Sequence, residues 1–344
     1  MRRRVLGWLG GVVLLGLMGG CSRSKEGSPS PGAGGADAGG GPPVMRVKVA
    51  LNWVPEPEFG GFYAARDRGF FQRRGFEVTL QGGGVGVPVA QMVASGQAEF
   101  GTLGADEMLI ARARGADVIP LFAVYQTSPL GVMAHASRGA KSLEDVFSKG
   151  TVALEAGLPS TEYLQKKVGF GKVKVIPYDG GVAHFVADKD FAQQCFITSE
   201  PIAARRQGAS PTVFLVADAG FNPYQAVLIT RRQLWKEQPS RVKDFVAAAR
   251  EGWRVYLDDP APANAVMAKL NTAMDARTFA EAALAQKPLI ETNETRARDL
   301  GTMSRERWET LAQQLVELGL IDKAPPVDEF LSPEFTGTPP NSSQ

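Results

Sequence analysis

Apolar residues along this chain switch repeatedly between a period of two and a period near three and a half. Positions 47–51 alternate and carry β-branched residues, which predicts a strand. The pattern breaks at Asn52-Trp53-Val54-Pro55, and neither Pro55 nor Pro57 can donate to a ladder, so the chain must leave the sheet there. Gly60-Gly61 then opens a helix with Phe62, Ala65, Gly69 and Phe70 on one face, Gly75 ends it, and 76–80 alternate as a second strand. The same alternation predicts strands at 99–102, 118–125, 132–135, 151–154, 172–178, 194–198, 212–216 and 226–230. Between them fall helices at 89–95, 106–114, 141–147, 161–168, 185–191 and 202–207. Beyond 230 the pattern is helical only, at 234–237, 240–258, 262–271, 275–286 and 304–318, with Gly319 closing the last. Strands alternating with helices over two segments, followed by a helical C-terminal tail, predict an α/β chain in two lobes. The first lobe takes 45–127 and 222–331, and the second takes 128–221.

In open α/β sheets ligands bind beyond the carboxyl ends of the strands. That rule selects Asn52 and Trp53 first. Gly83 and Gly84 lie in a glycine run after the second strand, where backbone N–H groups can approach a ligand. No Gly-Lys-Ser/Thr follows that run, which argues against a nucleotide loop. Asp106 reads as a helix N-cap, and Ser160 sits at a helix N-terminus after Gly157. Tyr125, Tyr178 and Tyr224 fall at strand ends or crossovers, and Glu200 at the end of a second-lobe strand. Trp235, Trp253 and Trp308 lie on helices and read as core.

The two ends carry a different composition. Arg2-Arg3-Arg4, an apolar stretch 5–18 and Gly19-Gly20-Cys21 read as a signal segment over 1–20. That segment resembles a bacterial lipoprotein leader, although Met18 stands where leucine is usual. The resemblance implies cleavage before Cys21 and acylation of that cysteine. Residues 21–44 hold almost no large apolar side chain and are expected to form a flexible tether, with a reach of about 25 Å. Residues 332–344 are similarly poor in apolar residues and are expected to be loose. The formal charge of +2 becomes −1 without the three leader arginines, so no basic face marks a nucleic-acid partner. Cys195 is the one other cysteine, which leaves no zinc pattern and reads as a small buried strand residue.

The stretch 50–80 resembles the periplasmic solute-binding proteins of the thiamine-precursor and riboflavin type. Trp53 and Pro55 match their Trp-x-Pro loop. Gly61, Phe62, Tyr63 and Ala65 match the helix that follows, and Gly69, Phe70, Phe71, Gly75 and Val78 the next turn and strand. Further similarity runs through 84–101, Ser199-Glu200-Pro201, and Leu300 to Ile321. The resemblance implies a type II periplasmic-binding-protein fold, with two lobes joined by two crossover strands that close on a small ligand and dock on an ABC permease. It implies a lipid-anchored protein on the periplasmic side of the cell envelope, a monomer with no cofactor.

A flat polar ring needs a π face and fixed hydrogen-bonding groups. Trp53 and Tyr63 can supply the face, Asn52 a donor and an acceptor, and Glu200 an acceptor from the opposite lobe. Pyrimidine binders of this family often carry Asn and His after the loop proline. This chain has Glu56, Glu58 and Phe59, a spacing closer to riboflavin binders, so pyrimidine and flavin both stay open. An enzyme resembling the pyrimidine synthases of this fold is the rival class. His135 and His184 form no Ser–His–Asp or metal pattern in the sequence.

Overall fold

The computed structural model describes residues 44–84 and 86–336. The expected leader, Cys21 and nearly all of the tether lie outside the described residues.

Two five-stranded sheets form. The first holds β1 (Met45–Ala50), β2 (Phe76–Gln81), β3 (Phe100–Leu103), β4 (Val118–Tyr125) and β10 (Gln225–Arg231). The second holds β5 (Leu130–His135), β6 (Thr151–Leu154), β7 (Lys174–Pro177), β8 (Phe191–Phe196) and β9 (Pro211–Leu215). Their orders are β2-β1-β3-β10-β4 and β7-β6-β8-β5-β9. In each sheet the strand entered from the other lobe, β10 or β5, lies inside the sheet and runs antiparallel to both neighbours. The remaining strands run parallel to one another, as the pairings of β1 with β2 and β3 and of β6 with β7 and β8 show.

This topology locates the cleft. β4 leaves its sheet at a carboxyl end and reaches the amino end of β5 after only 126–129, and β9 returns to β10 through 216–224. Both connections depart from the edge where the parallel strands end, so the carboxyl edges of the two sheets face each other. Tyr125, at the end of β4, meets Phe196, at the end of β8, edge to face at 6.4 Å.

The core of the first lobe is aromatic. Phe245 stacks on Phe71 and Phe100 and meets Phe76 edge-on. The helix Pro239–Asp258 crosses the helix Gly60–Asp67 with almost no side chain between them: a Cβ at Gly61 would fall 2.2 Å from the Trp253 ring, and one at Gly252 2.2 Å from Gly61 O. Trp253 and Trp308 are buried as expected, and Trp235 is half-buried. Cys195 is a free, buried strand residue. Among the described residues no helix is long and apolar enough to cross a membrane.

Three local expectations need correction. The helix expected over 185–191 is shorter, Ala183–Ala187, and β8 begins at Phe191. The strand expected at 194–198 thus starts earlier, and its buried Gln193 and Gln194 are satisfied by Gly181 O and by the Glu155 N–H. A helix at Asn293–Arg298, capped by Thr292, was not expected. Ser332 to Thr336 are not loose: Pro333–Phe335 form a 3-10 turn, and Phe335 is buried against Trp235 at 5.1 Å.

Candidate functional site

On the first lobe the segment 52–59 projects from the end of β1. Three hydrogen bonds fix its backbone. The Gly83 N–H donates to Trp53 O (2.8 Å), Asn271 Nδ2 to Pro55 O (3.3 Å), and Gln286 Nε2 to Pro57 O (2.9 Å). Pro57, with its preset φ, opens the 3-10 turn Pro57–Phe59 that runs straight into the helix Gly60–Asp67. Asn52 Oδ1 accepts from the Thr102 hydroxyl at 3.2 Å. Trp53, Glu56 and Glu58 stay half-buried.

On the second lobe Glu200 opens the helix Glu200–Arg206, where it was expected at a strand end. Its Oε2 accepts from the Phe196 N–H (2.7 Å) and its Oε1 from the Tyr178 hydroxyl (2.6 Å). Tyr178 and Glu200, singled out separately in the sequence, therefore form one unit.

Carboxylates dominate the electrostatics between the lobes. Desolvation, then repulsion from Glu200, lifts Glu56 from 4.5 to about 7, against hydrogen bonds from Trp53 and Asn271. Glu58 is pushed well above the usual range by burial and then by Glu56, Glu200 and Glu107. Burial and Glu107 raise Asp106 to about 7, and burial raises Glu107, with Glu155 of the other lobe adding to it. Burial also raises Glu200, partly offset by Tyr178 and the backbone. Glu56 and Glu58 keep a solvent-facing side although protein surrounds them at longer range, as expected of groups on a cleft wall.

Several expected site residues are placed differently. Tyr63 is fully buried, with the Arg66 guanidinium over its ring, so it offers no open face for stacking. Tyr224 is core: its ring lies under Arg307 at 3.8 Å and its hydroxyl accepts from the Ser304 N–H. Tyr125 is buried, and its hydroxyl donates to Gln286 Oε1 at 2.7 Å. The Gly83 N–H is committed to Trp53 O, and a Cβ at Gly83 would lie 2.1 Å from Leu51 O, so this glycine serves a close backbone approach. Gly84 has open space around its Cα. Asp106 is not the cap of its helix, Ala105–Ala113. Gly104 holds the cap position and its N–H donates to Glu107 Oε2 at 3.0 Å. Ser160 is buried in the first turn of the helix Pro159–Lys167, beside a recess of about 10 Å³, too small for a ring.

Glu107, Glu155, Asn271 and Gln286 were not anticipated, and Glu56 and Glu58 were noticed only as departures from a loop pattern. The one signal, for Glu56 and Glu58, was position: two acids alternating with prolines, close after a tryptophan at a strand end. His184 pairs with Asp179 at 3.2 Å on an exposed surface. Among the described residues no three His, Cys, Asp or Glu side chains are arranged to hold a metal ion.

A protein-family model described as NMT1/THI5 like matches residues 56–263. The riboflavin-binding protein RibY of Chloroflexus aurantiacus is 24% identical over 269 residues, 73% of this chain and 74% of that one. The 4-amino-5-hydroxymethyl-2-methylpyrimidine phosphate synthase of Legionella pneumophila is 22% identical over 314 residues, 86% of this chain and 94% of that one. Among solved structures, the periplasmic aliphatic sulphonate binding protein SsuA from Escherichia coli superposes with a TM-score of 0.67 at 14% identity, covering 83% of this chain and 92% of that one.

Proposed function

The chain belongs to the NMT1/THI5-like family, and from that premise we propose that it is the solute-binding component of an ABC importer. It closes two lobes on a small aromatic heterocycle, a thiamine-type pyrimidine or a flavin, and hands it to the permease. The periplasmic-binding fold of its structural neighbours supports capture between lobes. The observation that carries the ligand reading is topological: Trp53 and Glu56 follow β1 and Glu200 follows β8, at the facing carboxyl edges of the two sheets. On this reading a π face from one lobe and a carboxylate from the other border one cleft.

In this reading Trp53 stacks the ring. Glu200, oriented by Tyr178, accepts from its N–H edge, and Asn52 and the backbone at Gly84 border it. A hydrogen bond to a charged group contributes about 1.5–3 kcal/mol, enough to select among rings once stacking and closure supply affinity. Acylation at Cys21 would hold the protein at the periplasmic face of a membrane.

The test is calorimetry with riboflavin and with an aminopyrimidine on purified protein. Trp53→Ala and Glu200→Ala should each weaken binding of the cognate ring by at least about tenfold while leaving the thermal transition cooperative. Unchanged affinity in both variants rejects the site. Chemical turnover of a bound ring would favour the enzyme class to which the Legionella relative is assigned.

A further inference from the structure

Among the described residues only Ala226 and Asp299 hold a positive φ without being glycine. Asp299, at 95°, is compensated: its Oδ1 accepts from the Leu300 N–H at 2.8 Å and from Arg254 at 2.7 Å. Ala226, at 49°, has no polar side chain to offset the crowding of its Cβ against the backbone, and a glycine would take this conformation freely. It is the second residue of β10, where the chain returns from the second lobe. Gln225 pairs with Tyr125 and Val227 with Ala123, while the ladder to β3 starts only at Val227, opposite Leu103. The segment before Ala226 is pinned. Tyr224 O accepts from the Ala105 N–H, the Tyr224 hydroxyl from the Ser304 N–H, and Asn222 O from Arg307. The segment after it is locked between β3 and β4. Strain of this kind persists only where the flanking structure imposes it, and here it falls at the joint between the lobes. The lobes meet in this arrangement, through Arg206 with Asp275 and Thr278 and through Tyr125 with Phe196.

We propose that Ala226 is a strained joint that favours release: closure of the lobes drives it into the left-handed conformation, and its relaxation toward ordinary strand geometry helps to reopen the cleft. The inference rests on the ring-capturing reading above and adds a device to it. A conformational equilibrium moves only by what differs between its two states. Strain confined to the closed state therefore weakens ligand binding and shortens the ligand's residence, which suits a protein that must hand on what it binds. Ala226→Gly removes that strain and keeps the path of the backbone.

The test compares full-length parent and Ala226→Gly proteins, with riboflavin and an aminopyrimidine as probes. The variant should bind the ring that the parent binds about three- to tenfold tighter, through slower dissociation at an unchanged association rate. Without ligand, its radius of gyration in small-angle scattering should be smaller than the parent's. Ala192→Gly, which removes a buried methyl from ordinary strand geometry in β8, should do neither. Dissociation that is not slowed in Ala226→Gly, or that Ala192→Gly slows as much, overturns the joint and leaves the ring-binding cleft standing. If the parent binds neither ring, the capture reading fails and scattering decides alone. A smaller radius for Ala226→Gly then keeps the joint, and an equal or larger one overturns it.

Discussion

Glu56 shows how a single position couples stability to function. Its carboxyl is held up to about 7 by desolvation and by Glu200, with Glu58 beside it and the Trp53 and Asn271 donors working in the opposite direction. A carboxyl raised in the folded state binds its proton more tightly there than in the unfolded chain. Its stabilising contribution is therefore complete below about pH 4.5 and is lost as the pH rises through about 7, the reverse of a salt-bridged acid. Asp106, also raised to about 7, adds to the same window. The ligand-free protein should thus lose stability between pH 5 and pH 8, at up to about 1.4 kcal/mol per pH unit for each proton released. Glu56→Gln should flatten that slope, as read by chemical denaturation at a series of pH values. Equal slopes for parent and variant would show that Glu56 does not titrate in this range.

At the scale of elements, the loop 52–59 is aimed by the helix it runs into, and that helix is seated by glycines. Gly60 and Gly61 were read as a helix opening, which their sequence position suggests. Their α-helical backbone needs no glycine; clearance does, since a Cβ at Gly60 would lie 2.0 Å from the Tyr256 ring and one at Gly61 2.2 Å from Trp253. Gly61→Ala should cost about 1–3 kcal/mol through overpacking, measured by denaturant unfolding, and should weaken ring binding as the loop shifts. A neutral effect on both would mean that the helices separate freely. Elements of this kind were largely legible. The β-branched, apolar run of β4 and the proline-broken loop after β1 announce themselves locally. β8 was legible in part: a strand is expected at 194–198, but its start at Phe191 is masked by buried glutamines satisfied by loops remote in sequence. The site was half legible: Trp53, Tyr178 and Glu200 follow from strand ends, but the acid cluster does not. A near-neutral net charge hides it, and only folding brings the carboxyl edges of the two sheets to face each other. Tyr63 and Tyr224 were misjudged for a related reason: an aromatic near a strand end looks the same in sequence whether its ring meets the cleft or the core.

On the reading proposed above, the whole molecule works as a hinge with a clasp. Arg307 donates to Asn222 O through Nε (2.9 Å) and Nη2 (2.7 Å) and to Gln126 O through Nη1, while Asn222 Oδ1 accepts from the Ser128 N–H at 2.8 Å. Both crossovers are thereby tied to the helix Arg305–Glu317 and to each other, so closure on the proposed reading would pivot close to these ties. Far along the chain from the hinge, Arg206 reaches from the second lobe to Asp275 and Thr278 at the start of the helix Ala276–Ile290. Arg206 holds the Asp275 carboxyl down to about 2, ahead of the Thr278 N–H, so the contact persists across the neutral range. Arg206 closes the same short helix that Glu200 opens. A ligand that draws on Glu200 therefore pulls on the element that carries the clasp, and clasp and ligand favour the same closed arrangement. An exposed ion pair is weak because solvent screens it, so Arg206→Ala should shift the population without abolishing binding. The expected outcome is a larger radius of gyration for the ligand-free variant in small-angle scattering, restored by saturating ligand. A dissociation rate raised by at most about fivefold should accompany it, with little change in the association rate, because only the closed state uses the clasp. Identical scattering and identical dissociation rates would place the closing free energy elsewhere, in the contact of Tyr125 with Phe196 at the floor of the cleft.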